Sequence, residues 1–131
     1  PWRAVIACKY YNETPIHNLK EGEKYTFFRW GGSIARMESF YDVTKLDHKY
    51  YLNTYSDTMK LLNHNDIIAI KKFEAELLAL NNKGFCRSSD QMTNTLSKGN
   101  QTDTIREMTC NWYGYESLMR KIYKRHWKST N

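Results

Sequence analysis

Cysteine, proline and long apolar runs are all scarce in this sequence. Its 131 residues contain two prolines and only three cysteines, Cys8, Cys86 and Cys110, none of them paired at the two-residue spacing of zinc or redox sites. A small secreted domain normally has an even and denser set of cysteines. We therefore expect a reducing compartment, either the cytoplasm or the cytoplasm of a host cell.

Long hydrophobic segments and repeats are also missing. No apolar run approaches the roughly 20 residues that a membrane-spanning helix needs, and the first residues lack the regions of a signal peptide. No internal repeat or long linker divides the chain. We expect a single domain over residues 1–131 without a membrane span, large enough to bury about two-thirds of the surface of its unfolded chain.

Signatures of catalysis and of metal binding are absent too. The glycine spacings of phosphate-binding loops do not occur, and no two His or Cys residues lie at the short spacings of zinc sites. The Asp-His pair at 47–48 and the Asn-His pair at 63–64 follow the order of an HNH nuclease, but no final helical ligand follows them. We expect no metal and no cofactor, and a binding protein is favoured over an enzyme.

Aromatic residues and β-type alternation dominate the first half of the chain. Ten Tyr, five Phe and four Trp predict a core built largely from rings. Alternation predicts a strand over residues 3–11, and the β-rich segments 24–30 and 33–41 flank Gly31 and Gly32, which is typical of a hairpin. With a further strand near residues 48–55, we expect about four antiparallel strands.

The second half has the period of helices. Ile70, Phe73, Leu77 and Leu80 recur every three or four residues and predict a helix that ends near residues 81–84. A shorter helix is predicted over residues 90–96, ending at Gly99. The fold class is thus α+β, with the sheet packed by two or three helices from the C-terminal half.

A final helix is predicted to begin near a capping box formed by Thr104 and Glu107. Within such a helix, Gly114 costs about 1 kcal/mol relative to Ala, so it either kinks the helix or allows a close neighbour. The apolar face of this helix predicts packing against the sheet rather than pairing in a coiled coil. Its members are Ile105, Met108, Trp112, Tyr115, Met119 and Ile122.

Positive charge is concentrated at the C-terminal end of this helix. The chain has a net charge of +6, and its last fifteen residues contain five cations and no acid. Cations bind phosphates by releasing counterions, and neighbouring aromatic rings can stack on bases, so we predict contact with nucleic acid. The predicted site consists of Arg120, Lys121, Lys124, Arg125 and Lys128, with Tyr123 and Trp127 beside them.

Three other interpretations of these features remain open. Cations near a helix C-terminus can simply offset the helix dipole and keep the protein soluble. The same surface could instead dock on an acidic protein, as an inhibitor or adaptor of viral or phage origin that acts on a host would do. A third hypothesis is a pocket for a small anionic, nucleotide-like ligand, or an enzymatic pocket, around Arg29, Trp30 and Arg36.

The hairpin turn itself could form a second anion site. Glycine-rich turns present backbone N–H groups, and an arginine can clamp a phosphate between its guanidinium nitrogens. The candidate residues are Arg29, Gly31, Gly32 and Arg36, and an ordinary β-turn is the alternative. The oligomeric state is not predicted by any of these patterns.

Overall fold

The computed structural model describes residues 9–31, 37–54, 59–80, 92–107 and 112–130, with the backbone alone at residues 37 and 123–130. Within them lie six β-strands: β1 Lys24–Gly31, β2 Met37–Leu46, β3 Lys49–Asn53, β4 Lys60–Leu61, β5 Met92–Lys98 and β6 Gln101–Arg106. The same residues form three α-helices: α1 Pro15–Asn18, α2 His64–Leu80 and α3 Gly114–Thr130.

The strands form one antiparallel sheet in the order β4-β3-β2-β1-β5-β6. This arrangement confirms the α+β class, with six strands in the described residues rather than about four. None of the described helices combines the length and the apolar composition needed to cross a membrane.

The hairpin predicted around the two glycines is present. β1 pairs with β2 from Lys24 opposite Thr44 to Gly31 opposite Met37. The next turn has positive φ angles of 53° at Asp47 and 63° at His48, as expected for a tight two-residue hairpin connection. The chain thus continues from β2 into β3, which lies within the predicted segment 48–55.

Both long helices pack on the same face of the sheet. Alternate residues of β1 point toward them, and Phe27 contacts Phe73 of α2 edge-to-face with a centroid distance of 5.3 Å. Phe27 also stacks on Tyr115 of α3 at 5.7 Å. The predicted apolar face of α2 is buried. The core between the sheet and the helices combines five aromatic side chains with a larger number of aliphatic ones among the described residues, so rings contribute to it but do not dominate it in the way that the composition predicted.

Two predictions for the second half are wrong. Residues 92–96 of the helix predicted over residues 90–96 belong to strand β5, and residues 90–91 lie outside the described part of the chain. Residues 101–106, which include Thr104, form β6. Asn94, Leu96 and Ile105 are buried on the helix-facing side, because β5 hydrogen-bonds to the edge of β1 and buries alternate residues. Threonine fits this half-buried, pleated surface well. α3 begins only at Gly114, so Thr104 and Glu107 do not cap it.

The N-terminal strand is also absent where it can be assessed. Residues 9–10 form a turn and Tyr11–Glu13 a 3₁₀ turn, whereas residues 1–8 lie outside the described part of the chain. Thr14 then caps α1, where its side-chain oxygen accepts from the His17 backbone N at 3.3 Å. Pro15 stands at the first helical position, which tolerates a residue without an N–H.

Candidate anion-binding cleft

The predicted cationic site lies on α3, and the structure describes it in part. The Arg120 and Lys121 side chains are exposed. The backbone remains helical to Thr130, so the rest of the predicted site is in helical conformation, although its side chains lie outside the described atoms. These remaining positions are Tyr123, Lys124, Arg125, Trp127 and Lys128.

A cleft of about 280 Å³ lies beside these cations, at the seam between α2 and α3. Its lining takes positions 69, 72, 73 and 76 from α2 and positions 114, 117, 118 and 121 from α3. Both sets follow the three-and-four spacing of a single helix face. Arg120 and the two residues before α3, Trp112 and Tyr113, complete the lining.

Buried apolar and aromatic side chains form the base of the cleft. Phe73, Trp112 and Leu118 are buried, and the rings of Phe73 and Trp112 stack with centroids 5.8 Å apart. A Cβ atom at Gly114 would lie 2.3 Å from the indole ring. Glycine is therefore needed here for a close neighbour, which was one of the two roles expected for it; it does not kink the helix, because it is the first helical residue.

The rim of the cleft is cationic. Lys72, Arg120 and Lys121 stand around it, and none of the three forms an ion pair within the described residues. Glu76 is the single acid among the lining residues that the structure describes. Tyr113, with 63% of its surface exposed, provides a ring at the same rim. Such a site suits an anionic ligand that also has a flat or apolar part.

Arg29, which belongs to the second predicted anion site, lies in the interior. Its guanidinium donates to the carboxylate of Glu107, to Glu116 Oε1 at 3.3 Å and to Asn94 Oδ1 at 3.4 Å. It also lies 5.0 Å from the centre of the Tyr115 ring. Arg29 thus joins the central strand to the end of β6 and the first turn of α3.

The rest of that predicted site is described only in part. Gly31 ends β1, and Gly32 and Arg36 lie outside the described residues, so the hairpin anion site stays a prediction. Trp30 pairs with Glu38 and Thr93, and it follows Arg29 on a pleated strand, so its side chain is on the opposite face of the sheet. The ring of Trp30 lies 5.3 Å from that of Phe28.

Burial raises the pKa of Glu107, while hydrogen bonds from Asn94 and the charge of Arg29 oppose this rise. The amide of Asn94 donates to the Glu107 carboxylate at 2.9 Å and to the Ile105 carbonyl at 3.3 Å. Sequence reasoning assigned Glu107 to a helix cap and did not consider Asn94. The sequence signal was the position of Asn94 midway between Met92 and Leu96, at the two-residue period of a strand.

A second buried carboxyl, Glu74 of α2, was also missed. Its Oε2 accepts from the hydroxyls of Tyr25 at 2.5 Å and Tyr41 at 2.7 Å, and its Oε1 accepts from the Ile16 backbone N at 3.1 Å. Burial raises the pKa of Glu74 to about 7, against the effect of these three hydrogen bonds. An acid that directly follows Phe73 on the apolar face of α2 was the sequence signal for this site.

Asp42, Asp47 and Asp57 come near the ends of the predicted strands, where aspartates could bind a divalent ion, but the contacts described for Asp42 and Asp47 are local ones. Asp42 accepts from the Thr26 hydroxyl at 2.6 Å, and the backbone N–H of Asp47 donates to the Glu21 carboxylate in the hairpin turn. Asp57 lies outside the described residues. In the part of the chain that the structure describes, no three His, Cys, Asp or Glu side chains are grouped as a metal site would require.

Comparisons with protein-family models, with curated proteins and with solved structures found no match to this chain.

Proposed function

We propose that this protein binds nucleic acid through the cationic side of α3 together with Lys72 of α2. The observation that carries the proposal is the convergence of Lys72, Arg120 and Lys121 on one rim without an ion pair in the described residues. Cations that the fold does not neutralise keep their charge available for phosphates. Lys72 adds to the predicted site a contribution that sequence reasoning did not include.

The helical backbone of α3 supports an extended contact between this helix and nucleic acid. Positions 120, 124 and 128 follow one another at four-residue steps in a helix that continues to Thr130, so they share one side of it. A run of cations along one side of a helix can contact several backbone phosphates, and such contacts need no particular base sequence. The binding we propose is therefore salt-sensitive and largely independent of sequence. A nucleic-acid partner also agrees with the cytoplasmic location expected from the cysteines.

The test is a salt titration with single- and double-stranded DNA and RNA, followed by fluorescence anisotropy. The logarithm of the binding constant should fall linearly with that of the salt concentration, with a slope that grows by roughly one for each phosphate contact. The double variant Arg120→Glu with Lys121→Glu should lose at least about tenfold in affinity and show a shallower slope.

Lys24→Glu with Lys49→Glu is the matched control. Both lysines are exposed on strands of the sheet, and this double variant changes the net charge by the same amount. Binding is expected to weaken much less in the control. Equal loss in the two double variants, or no binding of any nucleic acid at low salt, would show the proposal to be wrong.

An acidic protein surface is the second candidate partner, and Tyr113 is the observation that favours it. Tyrosine and arginine are enriched among the residues that dominate protein interfaces, and exposed Tyr113 lies beside Arg120 at the rim. This alternative covers the inhibitor or adaptor of a host protein. The test is capture of a partner from cell lysate. A protein that is still captured after nuclease treatment, but is not captured by the Tyr113→Ala variant, would favour an acidic protein partner over nucleic acid.

A further inference from the structure

The first turn of α3 opens into the cleft between α2 and α3. The Tyr113 carbonyl accepts from the Ser117 backbone N at 3.0 Å, so Tyr113 is the N-cap residue of a helix of 17 residues. Tyrosine has no short polar side chain with which to cap the first amides. Tyr113, Gly114 and Ser117 all line the cleft. The positive end of the helix dipole therefore faces this space, which favours an anion there.

Trp112 provides a second, independent indication that the cleft binds an anion, because its indole N–H lacks a hydrogen-bond acceptor. The residue is 7% exposed, and its indole Nε1 is buried with no hydrogen-bond partner. A buried donor is costly to leave unsatisfied, and native structures rarely do so without a reason. The indole lines the cleft, and a Cβ at Gly114 would lie 2.8 Å from Nε1. The unpaired N–H is thus beside the first residue of α3.

The charge of the cleft indicates which anion fits. Lys72, Arg120 and Lys121 oppose the single carboxylate of Glu76, which leaves a formal balance of +2 among the described lining residues. The nearby Glu116 is not part of the lining, and its carboxylate is hydrogen-bonded to Arg29. A phosphomonoester carries between about −1.5 and −2 charges at neutral pH. A phosphodiester or a carboxylate carries a single negative charge and would neutralise only one of the two net positive charges.

We propose that this cleft binds a phosphomonoester group, whose oxygens accept from Trp112 Nε1 and from the backbone N–H of Gly114 while Lys72 and Lys121 neutralise it. The group could belong to a free nucleotide or to the terminal phosphate of a nucleic acid. The same chemistry serves both. This inference goes beyond the binding of nucleic-acid backbone proposed above and does not require it, although both use Lys72, Arg120 and Lys121.

The test follows the indole N–H resonance of Trp112 by NMR on the uniformly ¹⁵N-labelled full chain, with the resonance assigned through its contacts to Phe73 and Gly114. The probes are inorganic phosphate and a nucleoside 5′-monophosphate, added at constant ionic strength in chloride. A saturable shift of this resonance is expected for both probes. No saturable shift up to about 10 mM, where even a millimolar site is mostly occupied, would overturn the proposal.

Three lysine variants distinguish binding in the cleft from a general effect of the protein's positive charge. Lys72→Gln and Lys121→Gln each remove one rim cation, and each should weaken the binding of both probes at least about tenfold, because a charge-assisted contact is lost. Lys49→Gln removes an exposed cation on β3 and should leave binding unchanged. Equal weakening in all three variants would overturn the proposal.

Oligonucleotides with a 5′-phosphate, a 3′-phosphate or no terminal phosphate distinguish the two sources of the ligand. Tighter binding of a phosphorylated end, with the Trp112 shift, supports the cleft as a reader of nucleic-acid ends. If the nucleotide shifts the Trp112 resonance but no oligonucleotide binds, the phosphate site in the cleft is supported and the proposed binding of nucleic acid is wrong. If oligonucleotides bind equally well with and without a terminal phosphate, and free phosphate does not shift the Trp112 resonance, the phosphate site in the cleft is wrong. The proposed binding of the nucleic-acid backbone is then unaffected.

Discussion

Arg29 packs against the first turn of α3, whereas Lys121 belongs to that helix, and the two cations have opposite surroundings. Arg29 is almost completely buried, and its guanidinium is bonded to two carboxylates and an amide oxygen. Lys121 is exposed at the rim of the cleft and forms no ion pair within the described residues. The charge of Arg29 is used by the fold, whereas that of Lys121 remains available to a ligand.

The same contrast holds for the acids. Glu74 and Glu107 are surrounded by partners inside the molecule, while Glu76 shares the cleft with three cations and pairs with none of them in the described structure. Lys72 and Glu76 are four residues apart on α2, a spacing that permits an ion pair, yet none forms there. We infer that interior charges determine stability and cleft charges determine binding. Four predictions test this division.

The largest effect is expected for Glu107→Ala. This change removes the buried carboxylate that faces Arg29, and loss of one partner from a buried ion pair typically costs about 3–5 kcal/mol. Urea denaturation monitored by tryptophan fluorescence measures it. Glu116→Ala is the control, because Glu116 is about half exposed and its contact with Arg29 is longer, so we expect about 1 kcal/mol or less. Equal losses would contradict the assigned roles.

Glu74→Gln should make stability less dependent on pH. Burial raises the pKa of Glu74 from 4.5 to about 7, so the folded state holds a proton that the unfolded state has lost between these values. The free energy of unfolding of the natural protein should therefore fall as the pH rises from 4.5 through 7, by up to about 3 kcal/mol from this group, and then level off.

Glutamine has no proton to lose, so the stability of the variant relative to the natural protein should rise over the same range of pH. Denaturation of both proteins between pH 4.5 and 8.5 measures the difference. Glu76→Gln on the same helix is the control, and its difference should stay within about 0.5 kcal/mol throughout. A constant difference for Glu74→Gln would contradict the prediction.

Gly114→Ala should destabilise the protein by about 1–3 kcal/mol, the usual cost of forcing extra volume into a packed site. The new Cβ would lie 2.3 Å from a ring carbon of Trp112, so the indole must move. The expected loss exceeds the gain in helix propensity. Ser117→Ala, one turn later in the same lining, should change stability by no more than about 0.5 kcal/mol. Thermal unfolding of both variants provides the measurement.

The smallest effect on stability is expected for Lys72→Gln and Lys121→Gln. Exposed cations without partners contribute little to the fold, so each change should lie within about 0.5 kcal/mol of zero. The same variants should weaken the binding of nucleic acid in the salt titration. If these variants lose stability but not binding, the assignment of the cleft cations to binding rather than to stability is wrong.

Local patterns predicted much of the sheet and helix framework. Strands β1 and β2 pair as a hairpin because alternate residues of both strands bury one face. Helix α2 forms where apolar residues recur at its helical period. Within the segment from Met92 to Arg106, residues 92–96 and the residues from Thr104 onward were predicted to be helical instead. Its threonines and few apolar residues have weak local preferences, and pairing with β1 decides their conformation.

The sequence predicted the cations that α3 contributes to the rim, but it did not predict the cleft. Arg120 and Lys121 stand out in an acid-free segment, which is visible in composition alone. Lys72 comes from a helix about 50 residues earlier, and only the packing of α2 against α3 brings it to the same rim. Trp112 was read as part of a helix face, and its unpaired indole N–H follows from burial that no local pattern reveals.

The sequence by itself determined the α+β class, the hairpin, the position of α2 and the concentration of positive charge near the C-terminus. These features depend on the periodicity and composition of neighbouring residues, which act over one or two turns or strands. The tertiary structure alone decided which charges are neutralised. Arg29 meets Glu107 and Glu74 meets Tyr25 across separations of 78 and 49 residues, and such partners are set by how the elements pack.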